Sequence, residues 1–183
     1  MKNPQKLIII TGPSGVGKGT VVKAILKKDI NIWLSISATT RKPRKGEEDG
    51  KDYYFLSKNK FKQMIEDNKF LEWAEFAGNF YGTPLQYIKE KIDNGIKVIL
   101  EIEVEGAFQV REKIPETLSI FLLPPSKDEL EKRIRNRGTD NEESIVKRLQ
   151  RADFEISSSR NFDFSLKNYE VDETVREIFE IIN

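Results

Sequence analysis

A glycine-rich run around one lysine is the stretch of this sequence best suited to chemistry. It follows the apolar residues 7–10 directly and reads Gly12-Pro13-Ser14-Gly15-Val16-Gly17-Lys18-Gly19-Thr20. Glycines let the backbone approach an anion closely, a following helix points its free N–H groups at that anion, and Lys18 adds a positive charge for the outer phosphates of a nucleotide. The run therefore predicts a phosphate-binding loop between a strand and a helix, with all of its residues around a nucleoside triphosphate.

One position departs from the strict phosphate-loop pattern. That pattern has Ser or Thr directly after the lysine, where the hydroxyl contacts Mg²⁺, whereas here Gly19 follows Lys18 and Thr20 comes one place later. A shift of one residue turns a side chain by about 100° around a helix, so Thr20 is not a simple substitute. We therefore expect Mg²⁺ to be held mainly by phosphate oxygens and water.

The composition narrows what other chemistry these 183 residues can perform. Cysteine and histidine are absent, which excludes disulfides, thiolate nucleophiles, imidazole bases and the metal sites built on either residue. Lys and Arg total 31 against 30 Asp and Glu, so the net charge of +1 gives no overall field for nucleic acid or membranes, and we expect neither as a partner. The first residues lack the long apolar run of a signal sequence, and we expect a cytoplasmic protein.

Apolar runs that alternate with helical patterns supply the framework for the loop. The runs lack the polar alternation of half-exposed strands and lie at residues 7–10, 98–102, 118–123 and 162–166. The helical patterns lie at residues 20–26 and 85–92 and at Val175, Ile178, Phe179 and Ile182. This order predicts a three-layer α/β domain whose mainly parallel sheet has about five strands and binds ligands at its carboxyl edge.

Two stretches interrupt that order, and we interpret them as insertions. Residues 37–83 contain one helical pattern and a Gly-Asn turn at position 78, which together favour a small sheet. Residues 126–159 open with a capping box, Ser-x-x-Glu, and carry arginines at helical spacing. The predicted core consists of residues 1–36, 84–125 and 160–183.

Several motifs outside the loop resemble the guanylate kinase family, in order and over nearly the whole chain. They are the runs at residues 35–47, 50–55, 70–74, 78–83, 101–106, 124–126 and 137–139. The resemblance implies a P-loop NTPase core with a GMP-binding domain at residues 37–83 and a helical lid at residues 126–159. It also implies transfer of the γ-phosphate of ATP to GMP with Mg²⁺, which yields ADP and GDP in purine nucleotide metabolism.

The resemblance places the GMP phosphate among two arginines and two tyrosines. Guanidinium forks suit phosphate better than lysine does, so Arg41 and Arg44 would bind it together with the hydroxyls of Tyr53 and Tyr81. A solvated charge run or an RNA-binding patch is the alternative reading of this basic segment. The acidic residues 47–49 that follow it would interrupt an extended phosphate track.

Glu72 is the residue predicted to recognise the base. Guanine offers adjacent N1–H and N2–H donors that one carboxylate accepts together, whereas adenine would leave that carboxylate unpaired, a mismatch that supports selectivity on the order of 10⁴. By resemblance, Ser37 and Thr83 complete the base contacts and Glu103 lies on the guanosine side. Without the family motif, the interpretation of Glu72 as a surface carboxylate before a core tryptophan would be the favoured one.

Two acids lie at the carboxyl end of the strand predicted at residues 98–102. Because Glu101 and Glu103 are two residues apart, we expect both to project from one strand face at the carboxyl end of the sheet. Many family members carry aspartates here. We expect Glu101 to bind Mg²⁺ through a water, with simple solvation of the strand end as the alternative for each acid.

Arginines of the predicted lid complete the site. By resemblance, Arg133, Arg137 and Arg148 close on the ATP phosphates and the transferring group, where they neutralise charge and exclude water, while Arg135 points elsewhere. Asn168 matches a family position near adenine. The predicted catalytic set is Lys18, Arg41, Arg133, Arg137 and Arg148.

We expect direct in-line phosphoryl transfer with no covalent intermediate and no general base, because a phosphate nucleophile is already anionic at neutral pH. Two other functions stay open. One is a non-catalytic guanylate-kinase-like module that binds phosphorylated peptides; the other is a kinase for another nucleotide, since Gly-Lys-Gly-Thr also resembles adenylate kinases. The expected ligands are ATP and GMP, with dGMP as a further acceptor, and the expected assembly is a monomer or a homodimer.

Overall fold

Strands and helices alternate along most of the chain. The computed structural model describes residues 6–76, 78–136 and 142–183. The elements are, in chain order, β1 (Leu7–Thr11), α1 (Lys18–Lys28), β2 (Ile32–Leu34), β3 (Ala38–Thr39), β4 (Tyr54–Phe55), α2 (Lys58–Glu66), β5 (Phe70–Phe76), β6 (Asn79–Pro84), α3 (Leu85–Asp93), β7 (Lys97–Glu101), α4 (Val104–Lys113), β8 (Leu118–Leu123), α5 (Lys127–Arg135), α6 (Glu142–Ser157), β9 (Phe164–Lys167) and α7 (Val171–Ile182). Within these ranges no helix has the length and apolar character needed to span a bilayer.

The main sheet has five strands in the order β2-β7-β1-β8-β9, and every neighbouring pair is parallel. The strand β1 lies at its centre and is buried along its whole length. Ile8 and Ile10 pack into a cluster with α1 and α7, while Leu7 and Ile9 pack into another with α3 and α4. An apolar run without alternation fits this position, since both faces of the strand are covered.

The predicted three-layer α/β fold is therefore confirmed. The four predicted core strands are β1, β7, β8 and β9. The fifth strand, β2, is only three residues long and was not singled out in the sequence. Short strands carry little periodic signal, and β2 is stabilised by its pairing with β7 instead.

A second sheet lies within and just after the segment interpreted as the first insertion. Its strand order is β4-β3-β6-β5, with antiparallel pairing except between β3 and β4. The helix α2 covers it, and the rings of Phe61 and Phe70 stack with their centroids 4.3 Å apart in a small core of its own. The helix begins where the Ser57 hydroxyl accepts a hydrogen bond from the Lys60 N–H.

Helices α5 and α6 form a separate hairpin-like unit over the loop. Leu130 and Ile134 of α5 pack against Ile145 and Ala152 of α6. Half of the predicted capping box is present: the hydroxyl of Ser126 accepts a hydrogen bond from the backbone N–H of Glu129, whereas the Glu129 carboxylate accepts from Arg133 Nε. This small apolar contact holds the two helices together and leaves their arginines on the surface.

Candidate active site

The glycine-rich run forms a loop between β1 and α1, as predicted. Gly17 is the residue before α1 and has a φ of 103°, a left-handed conformation that favours glycine. A Cβ atom at Gly17 would lie 2.7 Å from the side-chain nitrogen of Asn168. The Lys18 side chain, 10% exposed, reaches back across the loop and its Nζ donates to the carbonyl oxygen of Gly12 at 2.7 Å.

Asn168 lies beneath this loop and is almost completely buried. Its Nδ2 donates to the Val16 carbonyl at 2.8 Å, and its Oδ1 accepts from the Thr174 hydroxyl at 3.1 Å. Arg133 of α5 donates from Nη1 to the same Val16 carbonyl at 3.2 Å and lies 3.4 Å from the backbone carbonyl of Asn168. Asn168 therefore fixes the loop in this structure, and its contact with adenine stays a prediction.

A cleft of about 560 Å³ runs between the loop, the second sheet and α6. The predicted site residues among its lining are Ser14, Lys18, Ser37, Tyr53, Glu72, Tyr81, Glu101, Glu103 and Arg148. Other predicted site residues that the structure describes are not part of this lining, among them Arg41, Arg44, Thr83, Arg133 and Asn168. The fold thus gathers side chains from four separate segments of the chain, residues 14–18, 37–81, 101–103 and 148, around one space.

Glu101 and Glu103, the two acids at the end of β7, are placed differently from the prediction. The strand ends at Glu101, and Glu103 lies outside it as the residue before α4, so the expectation that both project from one strand face was wrong. The chain turns into α4 directly after Glu101, so the alternation of side chains between the two strand faces does not continue to Glu103. Both acids still lie near the loop lysine. Glu103 is 3.8 Å from Lys18 Nζ. Burial raises the pKa of Glu101, and the positive charge of Lys18 opposes that effect.

Glu101 also lies over the position where the loop departs from the strict pattern. A Cβ atom at Gly19 would be 3.5 Å from Glu101 Oε1. The carboxylate therefore occupies the neighbourhood in which the strict pattern has a hydroxyl. Among the described residues no cluster of three or more acidic side chains is arranged to hold a metal ion.

Glu72 is a buried carboxylate at the opposite end of the cleft. Its side chain on β5 belongs to a residue that is 6% exposed, and its Oε1 accepts from the Thr83 hydroxyl at 2.5 Å. Burial raises the pKa of Glu72, while the hydrogen bond from Thr83 and the charge of Lys113 act in the other direction. The predicted pair of Glu72 and Thr83 is thus brought together, and a base would meet a carboxylate that water barely reaches.

One face of α4 holds the edge strand on which Glu72 lies. The Gln109 side chain accepts from the Trp73 N–H at 3.2 Å and donates to the Trp73 carbonyl at 2.9 Å, in place of a further strand. Lys113 donates to the Leu71 carbonyl at 2.6 Å. On the same face, a Cβ atom at Gly106 would lie 2.7 Å from Glu72 Oε2, so only glycine leaves room for the carboxylate.

The residues predicted to bind the GMP phosphate lie beside the second sheet. The guanidinium of Arg41 lies 5.4 Å from the ring centroid of Tyr53, and the Tyr53 ring lies 6.3 Å from that of Tyr81. Both terminal nitrogens of Arg41 are bonded to the carboxylate of Glu47. The side chain of Arg44 is exposed to solvent next to this group.

Arginines of α5 and α6 reach the loop from above. Arg148 donates to the Ser14 hydroxyl at 3.1 Å, which brings the second predicted lid arginine to the phosphate loop beside Arg133. Arg151 bonds to Glu105 of α4, which ties α6 to the core. Arg135 points away and pairs with acids of its own unit, as expected. Arg137 lies outside the described residues.

Comparison with known proteins places this arrangement in one family. The guanylate kinase family profile matches residues 4–183. A guanylate kinase from Prochlorococcus marinus strain MIT 9312 is 68% identical over 182 residues, which cover 100% of this chain and 99% of that protein. A guanylate kinase from Halalkalibacterium halodurans is 53% identical, over 96% of this chain and 86% of its own length. The chain belongs to the guanylate kinase family.

A solved structure agrees with that membership. The guanylate kinase of Anaplasma phagocytophilum is 34% identical and superposes with a TM-score of 0.79 over 100% of this chain and 87% of its own. Guanylate kinases phosphorylate GMP with ATP and release GDP, so the predictions of a nucleoside monophosphate kinase and of an ATP:GMP phosphotransferase are confirmed. The shared fold with a shikimate kinase from Bacteroides thetaiotaomicron, at 14% identity and a TM-score of 0.52, concerns architecture alone.

Sequence reasoning missed the residues that hold this guanylate kinase site in place. Gly106, Gln109 and Lys113 stand at positions i, i+3 and i+7, so helical spacing could have indicated a shared face. Glu47 was read as an interruption of a basic segment, although it is the partner of Arg41. A spacing of six residues inside a loop carries no periodic signal that would have revealed the pair.

The contact between Gly106 and Glu72 yields a test of the base pocket. In Gly106→Ala the new methyl group must displace the Glu72 carboxylate, so we expect KM for GMP to rise roughly tenfold to a hundredfold with KM for ATP unchanged. Alanine gains about 1 kcal/mol over glycine inside a helix, which offsets part of the strain of inserting a methyl group, so the melting temperature should fall only slightly. Steady-state kinetics and thermal melting measure both effects, with the exposed Glu112→Ala of the same helix as the control. An unchanged KM for GMP would contradict this geometry.

The position of Asn168 yields a test of the loop. Asn168→Ala removes a donor to the Val16 carbonyl, and we expect KM for ATP to rise about tenfold while KM for GMP stays the same. Tripolyphosphate carries the phosphates of ATP without the base, so it should also inhibit less well if the loop itself is disturbed. The exposed Asn31→Ala serves as the control. Unaltered tripolyphosphate inhibition beside a raised KM for ATP would assign Asn168 to the base alone.

Proposed function

We propose that the loop end of the cleft binds the phosphates of ATP and that Lys18 contacts the outer ones. The backbone N–H groups of residues 12–20 supply the cradle, since the loop leads into the N-terminus of α1. Lys18 already bonds to the Gly12 carbonyl, so its ammonium lies at the mouth of the loop before nucleotide enters. Arg133, Arg137 and Arg148 would close on the same phosphates from the lid.

The other end of the cleft would bind GMP. The single observation that carries this assignment is the buried carboxylate of Glu72, which faces the same cleft as Lys18. In this proposal Glu72 accepts the two adjacent donors of guanine, with Ser37 and Thr83 beside it and Glu103 toward the nucleoside. The phosphate would be held by Arg41, Arg44, Tyr53 and Tyr81.

The reaction would be a direct in-line transfer between the two ends. An oxygen of the GMP phosphate attacks the γ-phosphorus of ATP, a new P–O bond forms, and the bond to the β,γ-bridging oxygen breaks so that its electrons leave with ADP. The nucleophile is already an anion and needs no general base, which fits a chain without histidine. Lys18, Arg133, Arg148 and Arg41 would stabilise the charge that spreads over the transferring oxygens.

The acids near the loop fit a hydrated Mg²⁺ better than a directly bound one. Glu101 offers oxygen, the atom that Mg²⁺ prefers, at the position where the Gly19 side chain is missing. We assign it a contact through water, with the remaining ligands supplied by ATP. Bound there, Mg²⁺ would neutralise phosphate charge. Glu101 itself would orient that hydrated ion against the loop.

We propose that the chain has three functional segments. Residues 1–36, 84–125 and 160–183 would form the core, residues 37–83 the GMP-binding domain and residues 126–159 the lid, in line with the two sheets and the pair α5 and α6. Use of dGMP, a monomeric or homodimeric assembly and a cytoplasmic location stay predictions.

Lys18→Ala tests the donor end. Removal of a charge aimed at the transferring group should lower kcat by about a hundredfold or more at saturating ATP and GMP. Lys27→Ala changes an exposed lysine of the same helix and should match the parent enzyme. ADP formation in a coupled assay measures both. Similar rates for Lys18→Ala and the parent would remove Lys18 from the catalytic set.

Glu72→Gln tests the acceptor end and the choice of base. The amide keeps the shape of the side chain but turns an acceptor into a donor that opposes guanine, so kcat/KM for GMP should fall by about a hundredfold or more. KM for ATP should stay constant, as should all parameters of the exposed control Glu66→Gln. AMP and UMP are compared as acceptors in the same assay. Equal losses of GMP use and ATP affinity would show that the base pocket is misplaced.

A further inference from the structure

Glu47 has no part in the mechanism above, although it lies in the middle of the residues proposed to bind the GMP phosphate. Its Oε1 accepts from Arg41 Nη2 at 2.8 Å, and its Oε2 accepts from Arg41 Nη1 at 2.9 Å. The same Oε2 also accepts from the backbone N–H of Arg44 at 2.7 Å. One carboxylate therefore holds both arginines, the first by its side chain and the second by its main chain.

This pairing is better shielded and better formed than an ordinary surface ion pair. The side chains of Arg41 and Glu47 are 15% and 19% exposed, and the contact uses two parallel N–H···O bonds. The Arg41 hydrogen bond, followed by that from Arg44, lowers the pKa of Glu47 to about 2. The carboxylate is therefore charged throughout the neutral range.

The ion pair between Arg41 and Glu47 also determines which N–H groups of the Arg41 guanidinium can still bind a ligand. Nη1 donates to Glu47 and to the Lys42 carbonyl, at 2.8 Å, so both of its hydrogens are used. Nη2 gives one hydrogen to Glu47, which leaves its second hydrogen and that of Nε on the remaining edge. Tyr81 lies near the same group, since its ring is 6.3 Å from that of Tyr53, which lies 5.4 Å from the guanidinium.

Two roles for such a carboxylate can be distinguished. As a competitor, Glu47 would occupy Arg41 until the GMP phosphate displaced it. As a positioning group, it would stay bonded and hold Arg41 ready. The contacts favour the second role, because Glu47 leaves an edge of Arg41 open and because a second link, from the Glu47 N–H to the Arg44 carbonyl at 3.1 Å, closes the turn.

We propose that Glu47 is a positioning residue for the GMP phosphate, which holds the guanidinium of Arg41 and the backbone of Arg44 in their binding arrangement without touching the nucleotide. The inference rests on the proposed function, in which these arginines bind that phosphate. Preordered arginines lose little conformational entropy when the phosphate arrives, so the benefit should appear in the affinity for GMP.

The test uses Glu47→Gln and Glu47→Ala, with the neighbouring exposed Glu48→Gln as the matched control. Both Glu47 variants should raise KM for GMP about tenfold, while KM for ATP stays within about twofold of the parent. Guanosine has the base but no phosphate, so its inhibition constant should be the same in every variant. A loop that merely unfolded would change guanosine and GMP alike.

Other results would overturn the inference. A lower KM for GMP in Glu47→Gln would make the carboxylate a competitor, and a parallel loss of guanosine affinity would reduce its role to general folding. Arg41→Ala separates this inference from the proposed function. If Arg41→Ala weakens GMP binding and the Glu47 variants do not, only the positioning role fails. If Arg41→Ala has no effect, the phosphate site itself is misplaced.

Discussion

The parallel pairing of β1 with its two neighbours is the constraint on which the rest of the site depends. Ile10 is paired with Glu101 across this sheet, so the acid at the end of β7 comes to lie beside the loop that leaves β1. On the other side, β8 pairs with β9, and the residue after β9 is Asn168, whose backbone N–H bonds to Leu123. Because all strands run in one direction, each delivers its following residue to the same edge.

Cations that would meet phosphate are held by protein acceptors in this structure. Lys18 bonds to the Gly12 carbonyl, Arg133 to the Val16 carbonyl, and Arg41 to a carboxylate. Phosphate binding at Lys18 and Arg133 would exchange one acceptor for another, and a typical exchange of this kind yields only about 1 kcal/mol net, whereas Arg41 would keep its bond to Glu47. The advantage lies elsewhere: these side chains are already ordered, so binding costs less entropy. Positioning, which phosphoryl transfer needs most, is therefore built in before the substrates arrive.

The sequence predicted the parts of this site that follow from local pattern. Glycine spacing after an apolar strand located the loop, and apolar runs located four of the five strands of the main sheet. What it missed depends on contacts between segments far apart in the chain. Asn168 acts on Val16 from 152 positions away, and Gln109 pairs with the edge of β5 from a helix of the core. The end of β7 was also misjudged, because the residue Glu103 reads as strand by alternation but precedes a helix.

The proposed guanine pocket would depend on such long-range contacts for its specificity. Glu72 belongs to the second sheet, yet the face of α4 that contacts it belongs to the core, with Gly106 against its carboxylate and Gln109 on the adjacent backbone. Burial raises the pKa of Glu72, which makes its charge costly; Thr83 and Lys113 offset part of that cost, and a ligand with two adjacent donors would offset more of it. Adenine lacks that pair of donors. In the proposed function, the discrimination between purines would therefore rest on how closely α4 holds β5, because a shift of either element would let water reach the carboxylate and remove the penalty for the wrong base.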